Sequence, residues 1–314
     1  MGEGNQSSIT EIVLLGFEGP ANIRFGIFIL LLIIYMGTLA GNSLIIVLVS
    51  LSPRLHSPMY FFLCHLSATD IMISSNIVPN ILYFLLQGRG IISFSNCLTQ
   101  LFFLGMALGV ECLLLTVMSY DRYLAICRPL HYISIMDLKL QFLLVTFSWL
   151  VGFSEMCMIT FSVIRLKFCG PDVINHFYCD SDCFVELSCS DTTLIDIEVI
   201  VTAFPILVFA SVFIIITYVC IFCTIFGGSF TTSRQKAFST CSSHLTVVCT
   251  YYGSLIINYM IPNSGETINI NKYVSLLYTV MTPLFNPIMY TLRNKDIRFT
   301  LSYYIQRFEI QDVM

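Results

Sequence analysis

Charge is scarce in this 314-residue chain. Lysine, arginine, aspartate and glutamate make up 11% of it, while 56% is hydrophobic. A soluble domain carries about 25% charged residues, so a water-soluble globular fold is excluded and a polytopic membrane protein is expected. The 15 basic and 19 acidic residues leave a net charge of −4, which offers no basic surface for nucleic acid. Tryptophan occurs once, as Trp149, and reads as a packing anchor. Nothing resembles a nucleophile–base pair or a metal-binding helix, so catalysis is not expected. No internal repeat is visible and no pair of glycine-broken helices marks a midplane site, which weighs against a transporter or channel. No cleavable signal peptide is evident. Residues 1–24 are polar and acidic, and the apolar run after them is expected to act as its own targeting signal.

What the chain has in abundance is apolar length. Seven runs, at 25–50, 58–86, 97–127, 140–164, 197–226, 237–261 and 272–292, are each near the ~20 residues that cross a bilayer. The junctions are short, apart from 165–196. This predicts an all-α membrane protein, a seven-transmembrane helix bundle over 25–292 embedded in the lipid bilayer. An extracellular segment 1–24 precedes it, a cytoplasmic tail 293–314 follows with a short amphipathic helix, and 1–314 is one domain.

Loop charges set the orientation. With the N-terminus outside, the inner side holds Arg54, Arg122, Arg128, Lys139, Arg234, Lys236, Arg293, Lys295, Arg298 and Arg307. The outer side holds Arg24, Arg89, Arg165, Lys167 and Lys272. Ten against five follows the positive-inside rule. Asn5-Gln-Ser7 is a glycosylation acceptor usable only on the lumenal side, in agreement with that orientation.

Ionisable residues inside the spans are costly, so each needs a partner or a function. Asp121 and Arg122 end the third run. The arginine either snorkels to the interface or exchanges its neighbouring carboxylate for partner carbonyls, a two-position element. Asn42, Asp70, Glu111 and Asn286 sit in apolar stretches. Glu111 precedes Arg122 by eleven residues, about three helical turns, so both can face the interior. Asp70 and Glu111 are either internally bonded polar groups or a pair holding a proton or a cation such as sodium. Glu155, in the outer half of the fourth span, has no evident role. Pro205, Pro283 and Pro287 interrupt spans, and Asn286 is placed to serve backbone groups freed by Pro287.

Cys169, Cys179, Cys183 and Cys189 lie in the long acidic outer segment, and Cys97 opens the third span on the same face. Disulfides are expected in that oxidising compartment. Five cysteines leave one over. A zinc site with His176 is the competing reading, although the segment has no tight Cys-x-x-Cys pair.

Seven spans with Asp121-Arg122-Tyr123 and Asn286-Pro287-Ile-Met-Tyr290 resemble the rhodopsin-like G-protein-coupled receptors. The resemblance narrows with Pro58-Met-Tyr-Phe-Phe-Leu63 and Asp70, and with Met118-Ser-Tyr-Asp-Arg-Tyr-Leu-Ala-Ile-Cys127 followed by Pro129-Leu-His-Tyr132. Lys236-Ala-Phe-Ser-Thr-Cys-Ser-Ser-His-Leu245, and Pro283-Leu-Phe-Asn-Pro-Ile-Met-Tyr290 with Leu292-Arg-Asn294, narrow it further. Together with Phe168-Cys-Gly-Pro171 and Asn175-His-Phe-Tyr-Cys179, these are similar to the signatures of vertebrate odorant receptors along the whole chain. Ser119, Thr217-Tyr218 and the extra Cys183 are small departures from that pattern. Tyr251-Tyr252-Gly253 stands where other rhodopsin-like receptors carry a tryptophan–proline toggle.

The resemblance implies a plasma-membrane receptor. A small-molecule odorant enters an outer-half pocket, and a heterotrimeric stimulatory G protein docks inside and raises cAMP. Its switch residues would be Asp121, Arg122, Tyr123, Tyr218, His244, Asn286, Pro287 and Tyr290, with Arg128, His131, Arg234 and Lys236 as further inner contacts. Cys97 is expected to pair with Cys179 and Cys169 with Cys189, leaving Cys183 over. Helical phase proposes a pocket of Leu104, Gly105, Leu108 and Gly109 on the third span and Thr202, Ala203 and Ile206 on the fifth. Tyr252, Leu255, Ile256 and Tyr259 on the sixth and Thr279 on the seventh complete it. That lining is apolar with a few hydroxyls and suits a small, mostly apolar molecule. No cofactor is expected beyond the proton or sodium ion at Asp70 and Glu111. The alternatives are a non-olfactory small-molecule or peptide receptor, or an ion or proton transporter.

Overall fold

Backbone amides at membrane depth can be satisfied only within helices or closed barrels, and the apolar runs form long helices. The computed structural model describes residues 10–17, 19–169, 172–227, 232–260 and 267–311, without the side chains of 232–240, 259–260, 267–269, 292–293 and 307–311. Asn5 lies outside the described residues. The helices are α1 (Ala21–Leu51), α2 (Pro58–Gln87), α3 (Phe94–Cys127), a single turn α4 (Tyr132–Ile135), α5 (Leu138–Ile164), the short α6 (Ser181–Leu187) and α7 (Thr193–Phe226). After these come α8 (Thr232–Met260), α9 (Thr267–Leu276), α10 (Thr282–Arg293) and α11 (Lys295–Gln311). Among the described residues, α1, α2, α3, α5 and α7 are long and apolar enough to cross a membrane. Helix α8 and the α9–α10 rod pack beside them.

Helix ends follow local chemistry rather than the limits of the apolar runs. Ser93 accepts from the Asn96 amide at 3.2 Å, which starts α3 three residues before the run at Cys97. The Asp137 carboxylate accepts from the Leu140 amide at 2.8 Å and starts α5. Gly88 ends α2 at φ 87°, where its amide reaches the Phe84 carbonyl at 2.8 Å; glycine takes this left-handed geometry without strain. The seventh span is not one regular helix. A π-helical turn, Leu277–Met281, separates α9 from α10 and ends two residues before Pro283. Pro79, Pro205 and Pro287 lie inside α2, α7 and α10.

Helix α3 is the axis of the bundle. It packs on α2, α5, α7 and α8, and its Ala107, Val110, Leu114 and Leu115 are fully buried. Helices α1 and α7 present Leu30, Ile33, Phe204 and Phe209 outward, as faces immersed in lipid do. Small residues let α3 and α5 approach closely. A Cβ on Gly152 would stand 2.9 Å from the Met106 carbonyl oxygen and 3.0 Å from Val110 Cγ2.

The segment before α1, expected only as a polar tail, contributes to a small sheet. Strand β1 (Glu11–Leu14) runs antiparallel to β2 (Gly90–Ser93) and parallel to β3 (Val173–Ile174). Ile12 and Leu14 are fully buried beneath it. Its strands are too short to register against seven long apolar runs. Cys97–Cys179 ties the loop after α5 to the start of α3, and Cys169–Cys189 closes a ring within that loop. These four cysteines are therefore not thiolates for zinc. Cys183 is free and buried in α6, where burial holds its thiol well above its ordinary range. At the opposite end of the bundle, Arg54 pairs with Asp296 at 3.0 Å and lies 4.4 Å over Phe299, docking α11.

Gly152→Val should disrupt the α3–α5 contact and cost about 1–3 kcal/mol through overpacking, lowering the thermal midpoint of the purified protein. Gly26→Val, where nothing lies within 4 Å of an added Cβ, should leave that midpoint unchanged.

Candidate functional site

Three polar levels succeed one another along α3. The first borders a cavity of about 210 Å³ at the disulfide end, between α3, α5, α7, α8 and the loop carrying Cys179. Leu104, Gly105, Leu108 and Gly109 line it from α3, Ala203 and Ile206 from α7, and Leu255 from α8. These are places where helical phase expected a pocket. Tyr178 from the loop covers it and donates or accepts at 2.8 Å with Tyr278. The loop itself is held by the Cys179 amide, which donates to Gln100 Oε1 at 2.9 Å. Cavities for drug-sized ligands run to roughly 300–1,000 Å³, so this one suits a smaller molecule.

Several expected lining residues stand elsewhere. Helix α8 is turned by about one residue, about 100°, so Tyr251 and Asn258 face the cavity beside the expected Leu255, while Tyr252 and Ile256 do not line it. Ile256 is 40% exposed on the outer face, and the side chain of Tyr259 lies outside the described residues. The Tyr252 hydroxyl donates to the Cys112 carbonyl at 2.8 Å and meets Thr116 Oγ1 at 3.1 Å, holding α8 to α3 below the cavity. Thr202 donates to the Glu198 carbonyl at 2.7 Å. Thr279 is fully buried and donates to the Ser275 carbonyl at 2.6 Å. The π turn rotates this segment so that Tyr278 lines the cavity. Glu155, Met156 and Ile159 of α5 also line it, and the sequence reading assigned none of them there.

The second level is a bridge between carboxylates. Asn286 Nδ2 donates to Asp70 Oδ1 at 2.9 Å and Oδ2 at 3.0 Å, and to Glu111 Oε1 at 3.3 Å. All three residues are buried at 1% exposure or less. Glu111 Oε2 and Asn286 Oδ1 have no hydrogen bond among the described residues. Two ionised carboxylates at this depth repel, so a proton or a cation between them fits the donor set. The carbonyl next to the proline kink is served by Asn42 instead of Asn286. Its amide reaches the Thr38 carbonyl at 3.0 Å and the Pro283 carbonyl at 2.9 Å.

The third level lies at the far end of α3. Arg122 Nη2 meets Asp121 Oδ2 at 3.0 Å, and the Tyr132 hydroxyl donates to Asp121 Oδ1 at 2.8 Å. Burial and the Asp121 charge raise the Tyr132 phenol above its ordinary range, so it remains a donor. Tyr123 stacks on Tyr120. Nearby, Tyr218 of α7 meets His244 Nδ1 of α8 at 2.6 Å. His244 Nε2 and the Tyr290 hydroxyl are buried with no hydrogen bond among the described residues. Pro287 packs against Gly41 of α1, where an added Cβ would stand 2.9 Å from the proline ring. The side chains of Arg234 and Lys236 lie outside the described residues.

Comparison with known proteins gives one consistent result. The olfactory receptor family model matches residues 31–307. Olfactory receptor 11H4 of Homo sapiens is 42% identical over 93% of this chain and 90% of its own length. Olfactory receptor 1f45 of Rattus norvegicus is 42% identical over 96% of both chains. Olfactory receptor 11A1 of Homo sapiens is 44% identical over 95% of this chain and 94% of its own. Among solved structures, squid rhodopsin superposes with a TM-score of 0.70 over 93% of this chain and 88% of its own. At 15% identity that likeness speaks for the fold alone.

Asn286→Leu removes the two N–H donors shared by two buried carboxylates, a hydrogen bond to a charged group being worth about 1.5–3 kcal/mol. The thermal midpoint in detergent should fall by several degrees, and adding Asp70→Asn with Glu111→Gln should recover part of the loss. An unchanged midpoint for Asn286→Leu would mean that the bridge does not hold these helices.

Proposed function

The chain belongs to the olfactory receptor family, multi-pass membrane receptors and not enzymes, and on that premise we propose that it is an odorant receptor coupled to a stimulatory G protein. A small, mostly apolar organic molecule binds the cavity beneath the disulfide-tied loop. The Arg122 end engages the G protein and raises cAMP. The N-terminus and the disulfide end lie outside the plasma membrane, and α11 and the tail lie in the cytoplasm. Disulfide formation in an oxidising compartment and the basic loops at the other end support that orientation.

The single observation that carries the reading is the position of the cavity. It is lined mainly by side chains of four helices, it is covered by Tyr178, and Cys112 in its lining is the residue after Glu111 of the carboxylate bridge. A ligand there touches helices whose opposite ends carry the Asp121–Arg122 pair and the Tyr218–His244 contact. Activation requires the ligand to bind the active arrangement more tightly than the resting one; equal affinity would shift nothing. A ligand of about 12 heavy atoms at about 0.5 kcal/mol per atom gains about 6 kcal/mol, a dissociation constant of tens of micromolar. Release of Arg122 from Asp121 is the two-position element that reports this inside, reciprocally linked to the cavity.

Asp70 and Glu111, with Asn286, hold a proton or a sodium ion in the resting arrangement. Sodium would supply the positive charge that two buried carboxylates need, and Glu111 Oε2 is free to turn to it. A higher thermal midpoint in sodium chloride than in choline chloride, lost in Glu111→Gln, supports sodium; equal midpoints support the proton.

Arg122→Ala should reach the cell surface and lose ligand-dependent cAMP. Gly105→Leu and Gly109→Leu should weaken every agonist about 10-fold or more by filling the cavity; at Gly105 the added carbon meets Met156. A normal cAMP response from surface-expressed Arg122→Ala would remove the switch role. Parental potency in both glycine variants would place the ligand elsewhere.

A further inference from the structure

We infer that the ligand of this cavity carries a protonated amine, held by the Glu155 carboxylate on the α5 wall. The inference rests on the receptor reading of the cavity and adds the chemical class of its ligand.

Glu155 is the charged residue contributed to the cavity from within a spanning helix. Its hydrogen bonding among the described residues is poor. The Thr202 hydroxyl stands 3.4 Å from Oε1, but its single hydrogen is already directed to the Glu198 carbonyl at 2.7 Å. The other oxygen, Oε2, faces Gly109 of α3, 3.5 Å from where a Cβ would be. The missing side chain there leaves the carboxylate open to the cavity. Among the described residues, the neighbouring Glu198 accepts from Ser162 Oγ at 2.8 Å on one oxygen only, and it does not line the cavity. An ionised carboxylate removed from water needs a cation or several donors. Among the described residues the lining holds no lysine or arginine.

The entrance has the same sign. Asp180 and Asp182 line the cavity, and Glu186 lines the 440 Å³ vestibule above it. The stretch 172–198 carries Asp172, Asp180, Asp182, Glu186, Asp191, Asp196 and Glu198 and neither lysine nor arginine. Lys272 and Arg165 stand nearby, and Lys272 borders the vestibule through Asn175. Lys272 Nζ donates to Asn175 Oδ1 at 3.1 Å, and Arg165 lies 4.0 Å over Phe161. His176 in the vestibule is held neutral by burial. A mouth with an excess of acidic side chains raises the local concentration of cations and disfavours carboxylates. The remaining wall, Leu104, Leu108, Met156, Ile159 and Ile206, accepts a hydrocarbon body. An ammonium gains charge-assisted hydrogen bonds from Glu155 that an alcohol of the same skeleton cannot match. A carboxylate of that skeleton meets like charge.

Two matched series separate these classes: octylamine, octanol and octanoic acid, and phenethylamine, 2-phenylethanol and 3-phenylpropanoic acid. Each is titrated on cells expressing the parent, Glu155→Gln or Gly105→Leu at equal surface level, with cAMP as the readout. In at least one series the amine should act at the lowest concentration and the acid should be silent. Glu155→Gln should raise the amine's half-maximal concentration about 10- to 100-fold, the loss of one charge-assisted contact. The alcohol's response should change little. An alcohol or acid as potent as its amine, a parent insensitive to both amines, or an amine indifferent to Glu155→Gln would overturn the inference. The cavity itself is judged apart. If Gly105→Leu abolishes an alcohol or acid agonist, the cavity stands and the amine falls. If an amine acts equally on the parent and both variants, the cavity falls as well.

Discussion

One side-chain amide holds two carboxylates in the middle of this bundle. Asn286 on α10 bonds Asp70 on α2 and Glu111 on α3, with all three side chains buried. The need to satisfy these groups constrains what surrounds them. Helix α10 must enter the centre, so Gly41 yields space to Pro287 and Asn42 takes over the carbonyl beside the kink. Helix α3 must keep one face inward for its whole length, which aligns the cavity wall, Glu111 and Asp121 along a single rod. Buried networks of this kind are stable when fully satisfied and costly when partly so. Glu111 Oε2, Asn286 Oδ1 and the Tyr290 hydroxyl are the partly satisfied positions, and a change of arrangement has the most to gain there.

Much of the fold was legible because the bilayer allows few alternatives. Apolar runs long enough to span it must be helices, and the five long described spans begin within four residues of the apolar runs. Asp70 and Glu111 were visible because a carboxylate inside an apolar run is costly, and Asn286 because it stands beside Pro287. Their meeting was harder to read, since Asn286 appeared suited to mend the backbone at Pro287. Asn42, from a helix distant in sequence, does the equivalent task at Pro283. The disulfide partners stand as the family resemblance implied.

The cavity was half legible, and its errors have a common cause. Helical phase extrapolates well from a buried anchor along a regular helix, so Leu104 to Gly109 on α3 were placed correctly relative to one another. On α8 the anchor itself was misplaced by one residue, so Tyr252 and Ile256 stand off the cavity while Leu255 lines it. On the seventh segment the π turn broke the period between Asn286 and Thr279, which no spacing rule anticipates. Tyr132 and Tyr178 lie on a turn and a loop, where periodicity carries no signal and only tertiary contact assigns a partner.

Glu155 was noticed in the sequence and left without a role, for a reason that bears on how such receptors encode selectivity. A charge in a span normally declares itself through a partner within reach on a neighbouring helix, as Asp70 does through Asn286. Glu155 has only a shared hydroxyl among the described residues. On the proposed reading that lack is itself informative, because the missing partner arrives from outside. The apolar walls define size and shape, which many molecules of similar bulk satisfy; a hydrophobic surface discriminates a methylene by only about 1–3 kcal/mol. A carboxylate awaiting a cation discriminates more sharply, since the wrong ligand leaves it desolvated and unpaired. The acidic loop reinforces the choice before contact by excluding like charge at the mouth. Selectivity in this chain thus rests on an open carboxylate at the cavity, while the Asn286 bridge between Asp70 and Glu111 joins the helices that frame it.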